Sequence, residues 1–311
     1  MPDYECYGLL LRSELPLPEL LESAPAAHAA PDVTIKRGDL AAGPGTDLDV
    51  LTADRLWRGP TAMRLCLDGV ATYEVRDGVQ IVVDEAPGAD PGELRLYLLG
   101  TCLGSLLQQR GLLVLHGNSI RVGDSCAVVV GHSGAGKSTL AAEFVRRGYD
   151  LLADDVVPVD DGLRALPGFP KIKLWEDAAH RYGIDVSELE RVRPQDAKYH
   201  VPVDRASLAP LPVRWVYVLG ESDGDDLALK PARGVDRFGM LWRHSYRPRL
   251  LQGFATRAVH LERCNRLQAA VRLVQVDRPR ETMTPAATAS AILDDIAAHP
   301  PTTMWQHQEA R

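Results

Sequence analysis

The segment Gly131-His-Ser-Gly-Ala-Gly-Lys-Ser138 places three glycines, a lysine and two hydroxyls within eight residues. The spacing G-x-x-x-x-G-K-[ST] suits the wrapping of nucleotide phosphates. A triphosphate is dense in negative charge, and side chains would obstruct a loop that must surround it. Glycines at 131, 134 and 136 let successive backbone N–H groups turn inward. A helix starting at Lys137 adds its positive dipole end. Lys137 can reach the β and γ phosphates, and the Ser138 hydroxyl can ligate Mg2+. The expected nucleotide-binding set is Gly131, Ser133, Gly134, Ala135, Gly136, Lys137, Ser138 and Thr139, with ATP and Mg2+ as cofactors.

Asp154 and Asp155 follow Lys137 by 17 and 18 residues. A helix leading away from the loop and a strand leading back would return them to it. Two carboxylates beside a metal–triphosphate can divide the labour. One ligates Mg2+. The other takes the proton of an incoming hydroxyl as general base. His116, in VLHGNS, has two readings. It is either a hydrogen-bonded structural residue or a group that touches the γ phosphate or orients Asp155.

The elements that must position these residues are legible in outline. Two apolar runs, LLVLHGNSIRV and SCAVVVG, are split by Gly123-Asp124 and read as buried strands. Lys137–Arg147 reads as a helix stopped by Gly148 at C′. DLLADD and VVPVD are strand-like, and RWVYVLG at 214–220 is a further buried strand. Short helices are expected near Trp175–Tyr182 and Val186–Val192, a longer one over 250–270, and a last one opened by Thr284 and Pro285. Upstream, ATYEVRDGVQIVV predicts a hairpin turning at Asp77-Gly78. PGELRLYLLGTCLGSLLQQRG predicts a helix with Leu94, Leu98, Cys102 and Leu106 on one face. A short strand is expected at Val33–Lys36. The reading is α/β with two units: a β-rich N-terminal domain at 1–108 and a nucleotide-type domain at 109–311.

The 311 residues carry 42 acidic against 35 basic side chains, a net charge of −7, which argues against nucleic acid as a partner. The 5 cysteines are dispersed, without CxxC pairs or zinc-ligand spacing, as in a reduced cytoplasmic protein. The N-terminus lacks the pattern of a signal peptide, and no apolar run approaches a membrane span. A cytoplasmic location is therefore expected.

The pieces LHG (115–117), GHSGAGKST (131–139) and RRGYDLLADD (146–155), with their spacings, resemble the catalytic domain of HPr kinase/phosphorylase. The resemblance implies a P-loop kinase domain of the HPr kinase and phosphoenolpyruvate carboxykinase type, set in a mixed sheet. It gives Lys137 and Ser138 the phosphate and Mg2+ roles, Asp154 the second metal contact, Asp155 the base and His116 a supporting catalytic place. The family phosphorylates a serine of a small phosphocarrier protein and can reverse the reaction. The resemblance extends to hexamers of the catalytic domain, which implies self-association. The family's RGLGI-type stretch after the aspartates is absent here, replaced by LPGFPKIKLWEDAAHRYG (166–183). PLPEL, LLG and PGFPKIKLW look more like a divergent branch that accompanies lasso-peptide biosynthesis and phosphorylates the C-terminal serine of a precursor peptide.

The leading reading is an ATP-dependent kinase acting on a serine hydroxyl of a peptide or small protein. HPr serine kinase/phosphorylase and a nucleotide-sensing binding module are its rivals. Lys171, Lys173 and Trp175 share one side of an expected strand. They either meet a carboxylate or phosphate, or form a solvated edge. Nine arginines between 243 and 280 (243, 247, 249, 257, 263, 266, 272, 278 and 280) form a solvated face or subunit contact, or else serve an acidic peptide or the transferring phosphoryl group.

Overall fold

The protein is described by a computed structural model over residues 1–23, 30–40, 49–52, 55–224, 226–279 and 284–301. Two large mixed sheets dominate it. The first holds nine strands, ordered Leu21–Glu22, Asp3–Cys6, Leu9–Ser13, Val33–Arg37, Gln80–Glu85, Ala71–Arg76, Ala62–Leu67, Leu56–Arg58, Asp49–Thr52. The Asp77-Gly78 turn forms as expected, with φ of 57° and 68°, the doubly positive pair that a type I′ turn demands.

The second sheet has seven strands, ordered Ser125–Gly131, Leu113–Val122, Leu151–Val159, Arg164–Ala165, Leu211–Ser222, Arg272–Pro279, Ala228–Pro231. Ser125–Gly131 also pairs in parallel with Leu211–Ser222, so the first five strands close into a ring through two-residue Arg164–Ala165. The expected mixed α/β architecture is present.

The apolar run SCAVVVG is continuous because both its faces are covered. Cys126, Val128 and Val130 join the large core cluster on one side, while Ala127 and Val129 join a second cluster on the other. Leu211–Ser222 obeys the same two-residue period: Val216 and Val218 face the first cluster, Trp215, Tyr217 and Leu219 the second. Helices Lys137–Arg146 and Pro285–Ala298 cover the second face with Leu140, Phe144, Ala289 and Ile292. The first cluster runs from Tyr4 to Leu273 and includes Leu94, Leu98, Cys102 and Leu106, all buried as their helical spacing predicts. Asp90 caps this helix, accepting from the Glu93 N–H at 2.8 Å. Its middle, Leu98–Cys102, is a π-turn.

Lys137–Arg146 ends in a Schellman motif. The Tyr149 N–H donates to Phe144 O (3.1 Å) and the Gly148 N–H to Val145 O (2.9 Å), with Gly148 at φ 92°. The Phe144 and Tyr149 rings complete it, 6.1 Å apart. Thr284 caps the last helix as expected, accepting from the Ala287 N–H at 3.2 Å. No helix among the described residues is long and apolar enough to cross a membrane.

Three expectations need correction. Leu151–Val159 is one strand, not two. The helix expected over 250–270 is split into Pro248–Leu251 and Arg257–Ala270. Val186–Val192 is not helical, although a short helix does form at Glu176–Arg181. The Asp185 carboxylate takes the Ser187 N–H (2.9 Å), and the Val192 N–H is drawn off to Lys198 O (2.7 Å). Val186 still packs inward, so its apolar spacing reports burial rather than a helix.

Two buried histidines give the fold an acid sensitivity. Burial pushes His260 down to about 4, and burial with the nearby Lys173 charge pushes His200 down to about 3. The His200 ring stands among cations, Lys171, Arg95 and Lys198 as well as Lys173, all of which disfavour its protonation. Both rings stay neutral in the folded chain, whereas the unfolded chain takes up their protons below about pH 6.5. Stability is therefore complete above that pH and falls as the pH drops towards the folded values. Denaturant unfolding at pH 5 should show about 2–4 kcal/mol less stability than at pH 7.5.

Candidate active site

The site begins where strand Ser125–Gly131 runs out. The loop from 132 to 136 turns back through Gly134 (φ 84°) and Gly136 (φ 75°), and the helix opens at Lys137. The Lys137 ammonium curls under the loop, donating to Gly131 O (2.8 Å) and His132 O (2.9 Å). Burial pushes its pKa down, against the opposing pull of Asp155 and Asp154. Asn118 pins the first helical turn, its amide donating to Lys137 O at 2.6 Å. Arg278 holds the loop from the other side, donating to Ala135 O at 2.7 Å.

The strand Leu113–Val122 lies between Ser125–Gly131 and Leu151–Val159, antiparallel to both. Its register sets Gly117 opposite Asp155 and Asn118 opposite Asp154. Adjacent residues of a regular strand point to opposite faces. Here Asp155 takes a left-handed conformation, φ 70°, and both carboxylates border the same pocket. Such backbone is costly for a non-glycine residue, though Asp and Asn tolerate it best.

The two acids have different partners. Buried Asp154 accepts from the Ser138 hydroxyl (3.2 Å) and the Lys173 backbone N–H (3.1 Å). Asp155 accepts from the Lys173 ammonium at 3.0 Å. The His116 Nδ1 lies 3.0 Å from Asp155 O and 3.3 Å from its Oδ1, so Nδ1 carries the proton. Burial, then the Asp155 charge, raises the Asp154 carboxyl above its ordinary value. Burial would raise Asp155 too, but the Lys173 ammonium hydrogen-bonded to it holds it well below the carboxylate range. Burial keeps His116 low and neutral despite the neighbouring acid. Neighbouring carboxylates driven apart in this way are suited to different tasks.

Ser133, Gly134, Gly136, Lys137, Ser138, Thr139, His116, Asp154 and Asp155 thus border one pocket, while Ala135 is buried behind the loop and Gly131 faces an adjoining cleft. Sequence reasoning missed Asn118, whose only signal is an amide inside an apolar strand. It left Lys173 undecided. The strand Lys171–Trp175, paired with Lys198–Pro202, brings Lys173 and Trp175 to the pocket. Lys171 turns elsewhere, to Pro18 O at 3.4 Å. Of the nine arginines, Arg278 reaches the loop, Arg272 pairs with Asp295 (2.6 Å) and Arg266 with Asp161 (2.9 Å). Arg280 lies outside the described residues.

The Ser138 hydroxyl and Asp154 carboxylate are hard oxygen donors 3.2 Å apart. Mg2+ takes one or two protein oxygens and completes its shell with phosphate and water, so this pair fits it. The inward loop and its lysine likewise fit a nucleotide's phosphates.

A strand, a glycine-rich turn and a helix thus face paired acids across one pocket. The HPr Serine kinase C-terminal domain family matches residues 110–170. An HPr kinase/phosphorylase of Neisseria meningitidis is 41% identical over 64 residues, 21% of this chain and 18% of that protein. One from Aromatoleum aromaticum is 32% identical over 109 residues, 35% of this chain and 30% of that one. The solved HPr(Ser) kinase/phosphatase from Coxiella burnetii aligns over 60% of this chain and 91% of its own, with a TM-score of 0.31 and 11% identity. The segment that carries His116, the loop and both aspartates is similar to HPr kinase/phosphorylase, and the chain spans less than a third of the length of these curated relatives.

Proposed function

We propose that the protein is an ATP-dependent kinase that phosphorylates a serine hydroxyl of a peptide or small protein. The arrangement that carries this reading is the pair Asp154–Asp155. One acid is tied to the loop hydroxyl of Ser138, and its neighbour is held ionised between Lys173 and His116. Gly131–Thr139 acts as a phosphate loop, and Ser138 and Asp154 hold Mg2+. Bound MgATP supplies the phosphoryl group with its charge neutralised.

The chain's own residues do the rest. Lys137 leaves its loop carbonyls for phosphate oxygens. Asp155 accepts the serine proton as the serine oxygen bonds to the γ phosphorus and the β–γ bridging bond breaks, releasing ADP. Lys173 neutralises charge beside it, and His116 fixes the Asp155 carboxylate. Residues 109–311 form the catalytic unit and 1–108 a β-rich partner-holding unit. The protein works in the cytoplasm and can self-associate.

The names of its relatives favour the phosphocarrier HPr as acceptor. The resemblance carried by the PGFPKIKLW stretch, which brings Lys173 and Trp175 to the pocket, would instead imply a lasso-peptide precursor ending in serine. Incubation with labelled ATP, Mg2+ and either acceptor should yield phosphoserine. Tight ATP binding with no transfer to any acceptor would instead favour the nucleotide-sensing module. Lys137→Ala removes charge-assisted hydrogen bonds worth about 1.5–3 kcal/mol. ATP affinity, measured by calorimetry, should then fall roughly 10- to 100-fold.

A further inference from the structure

A second cleft, of about 520 Å3, meets the phosphate-side pocket at Asp155. The two share His116, Ser133 and Asp155. A triphosphate held on the loop leaves this cleft as the approach from which a hydroxyl can reach the Asp155 carboxylate. The far wall is firmly built. The His116 N–H donates to His244 O (2.8 Å) and the Tyr246 N–H to Val114 O (2.7 Å), stitching 244–246 to the strand edge. Arg243, Arg247 and Arg193 line the cleft from there.

The charges in the cleft do not balance. Asp155 is the one acid lining it among the described residues, and Lys173 already occupies that carboxylate. Arg193 is fixed by the Tyr97 hydroxyl (2.8 Å) and lies over its ring. Arg243 and Arg247 are exposed, and neither pairs with a carboxylate among the described residues. Arg247 also holds a left-handed backbone, φ 42°, and lies 5.9 Å over the Tyr246 ring. Strain in a long side chain's backbone, beside the reacting carboxylate, is a mark of a positioned group. An arginine fork presents paired donors that match a carboxylate.

We infer that this cleft is the acceptor site, and that it selects a serine whose hydroxyl stands beside a carboxylate bound by Arg243 and Arg247. The inference rests on the kinase reading and names its substrate class. The carboxylate can come from an acidic neighbouring side chain or from the acceptor's own C-terminus.

The test uses the full chain with MgATP and matched serine hexapeptides. One set carries Asp or Glu beside the serine. A second ends in serine as the free acid, a third is the same peptide amidated, and a fourth carries Lys beside the serine. At least one of the first two sets should exceed the amidated and Lys-flanked sets about tenfold in kcat/KM, and which one does so identifies the source of the carboxylate. The double variant R243E/R247E should invert the order in favour of Lys-flanked peptides, a gain that misfolding cannot produce. Equal use of all sets, or a preference that survives charge reversal, overturns the inference. ATP binding without phosphorylation of either carboxylate-bearing set also overturns it and leaves the nucleotide site standing. Absence of ATP binding brings down the kinase reading beneath it.

Discussion

Asp155→Asn should lower phosphoryl transfer by about 100- to 10,000-fold while ATP binds nearly as before. The substitution keeps the size of the side chain and suits the left-handed backbone at φ 70°, which Asn tolerates as well as Asp. What it removes is the basic carboxylate proposed to take the serine proton, and with it the charge opposite Lys173. Lys137 and Ser138, the proposed phosphate and Mg2+ contacts, bond to Gly131 O and Asp154 and not to the Asp155 side chain, so the substitution leaves them in place. Single-turnover transfer and nucleotide titration on the same preparation separate the two effects. Transfer at the wild-type rate would remove Asp155 from its role as base.

Gly117→Ala should be the most destabilising of the small substitutions around the site. A Cβ there would stand 2.3 Å from Val129 O and 3.1 Å from Val129 C. Those atoms belong to a backbone paired on both sides, so neither can retreat. Overpacking of this kind costs typically 1–3 kcal/mol or more, and the loss should reach at least about 3 kcal/mol because the clash is with backbone. Gly123→Ala is the control. Its φ of 60° is left-handed, but a Cβ would meet nothing within 4 Å, so only the conformational cost of about 1–2 kcal/mol remains. Denaturant midpoints should rank wild type above Gly123→Ala and Gly123→Ala above Gly117→Ala. Equal losses would show that the strand can shift aside.

The loop was legible because its chemistry is local: the glycines, Lys137 and Ser138 lie within eight residues, and their spacing carries its own geometry. The aspartates were legible because one helix and one strand suffice to return them. Lys173 was harder to place, because a strand's neighbours are chosen by non-local pairing. Lys171 and Lys173 look alike in sequence, yet one reaches Pro18 and the other Asp155. The left-handed turn at Asp155 has no signature beyond a residue type that tolerates it. The cleft of Arg243 and Arg247 depends on a bridge between Leu115 and Ser245, too distant in sequence for any periodicity to announce. At Val186–Val192 the apolar spacing was real, but hydrogen bonds to the neighbouring hairpin took the backbone that a helix would need.

The outermost strand of the seven-stranded sheet, Ala228–Pro231, ends in a residue with no amide hydrogen, and its Lys230 is clamped to Asp277 at 2.8 Å. A neighbouring molecule laying its own backbone alongside would find an interrupted ladder and a charge to displace. Any quaternary contact here must therefore be built from surface side chains meeting face to face, and it should be as open to disruption by point substitution as a continuous intermolecular sheet would be resistant.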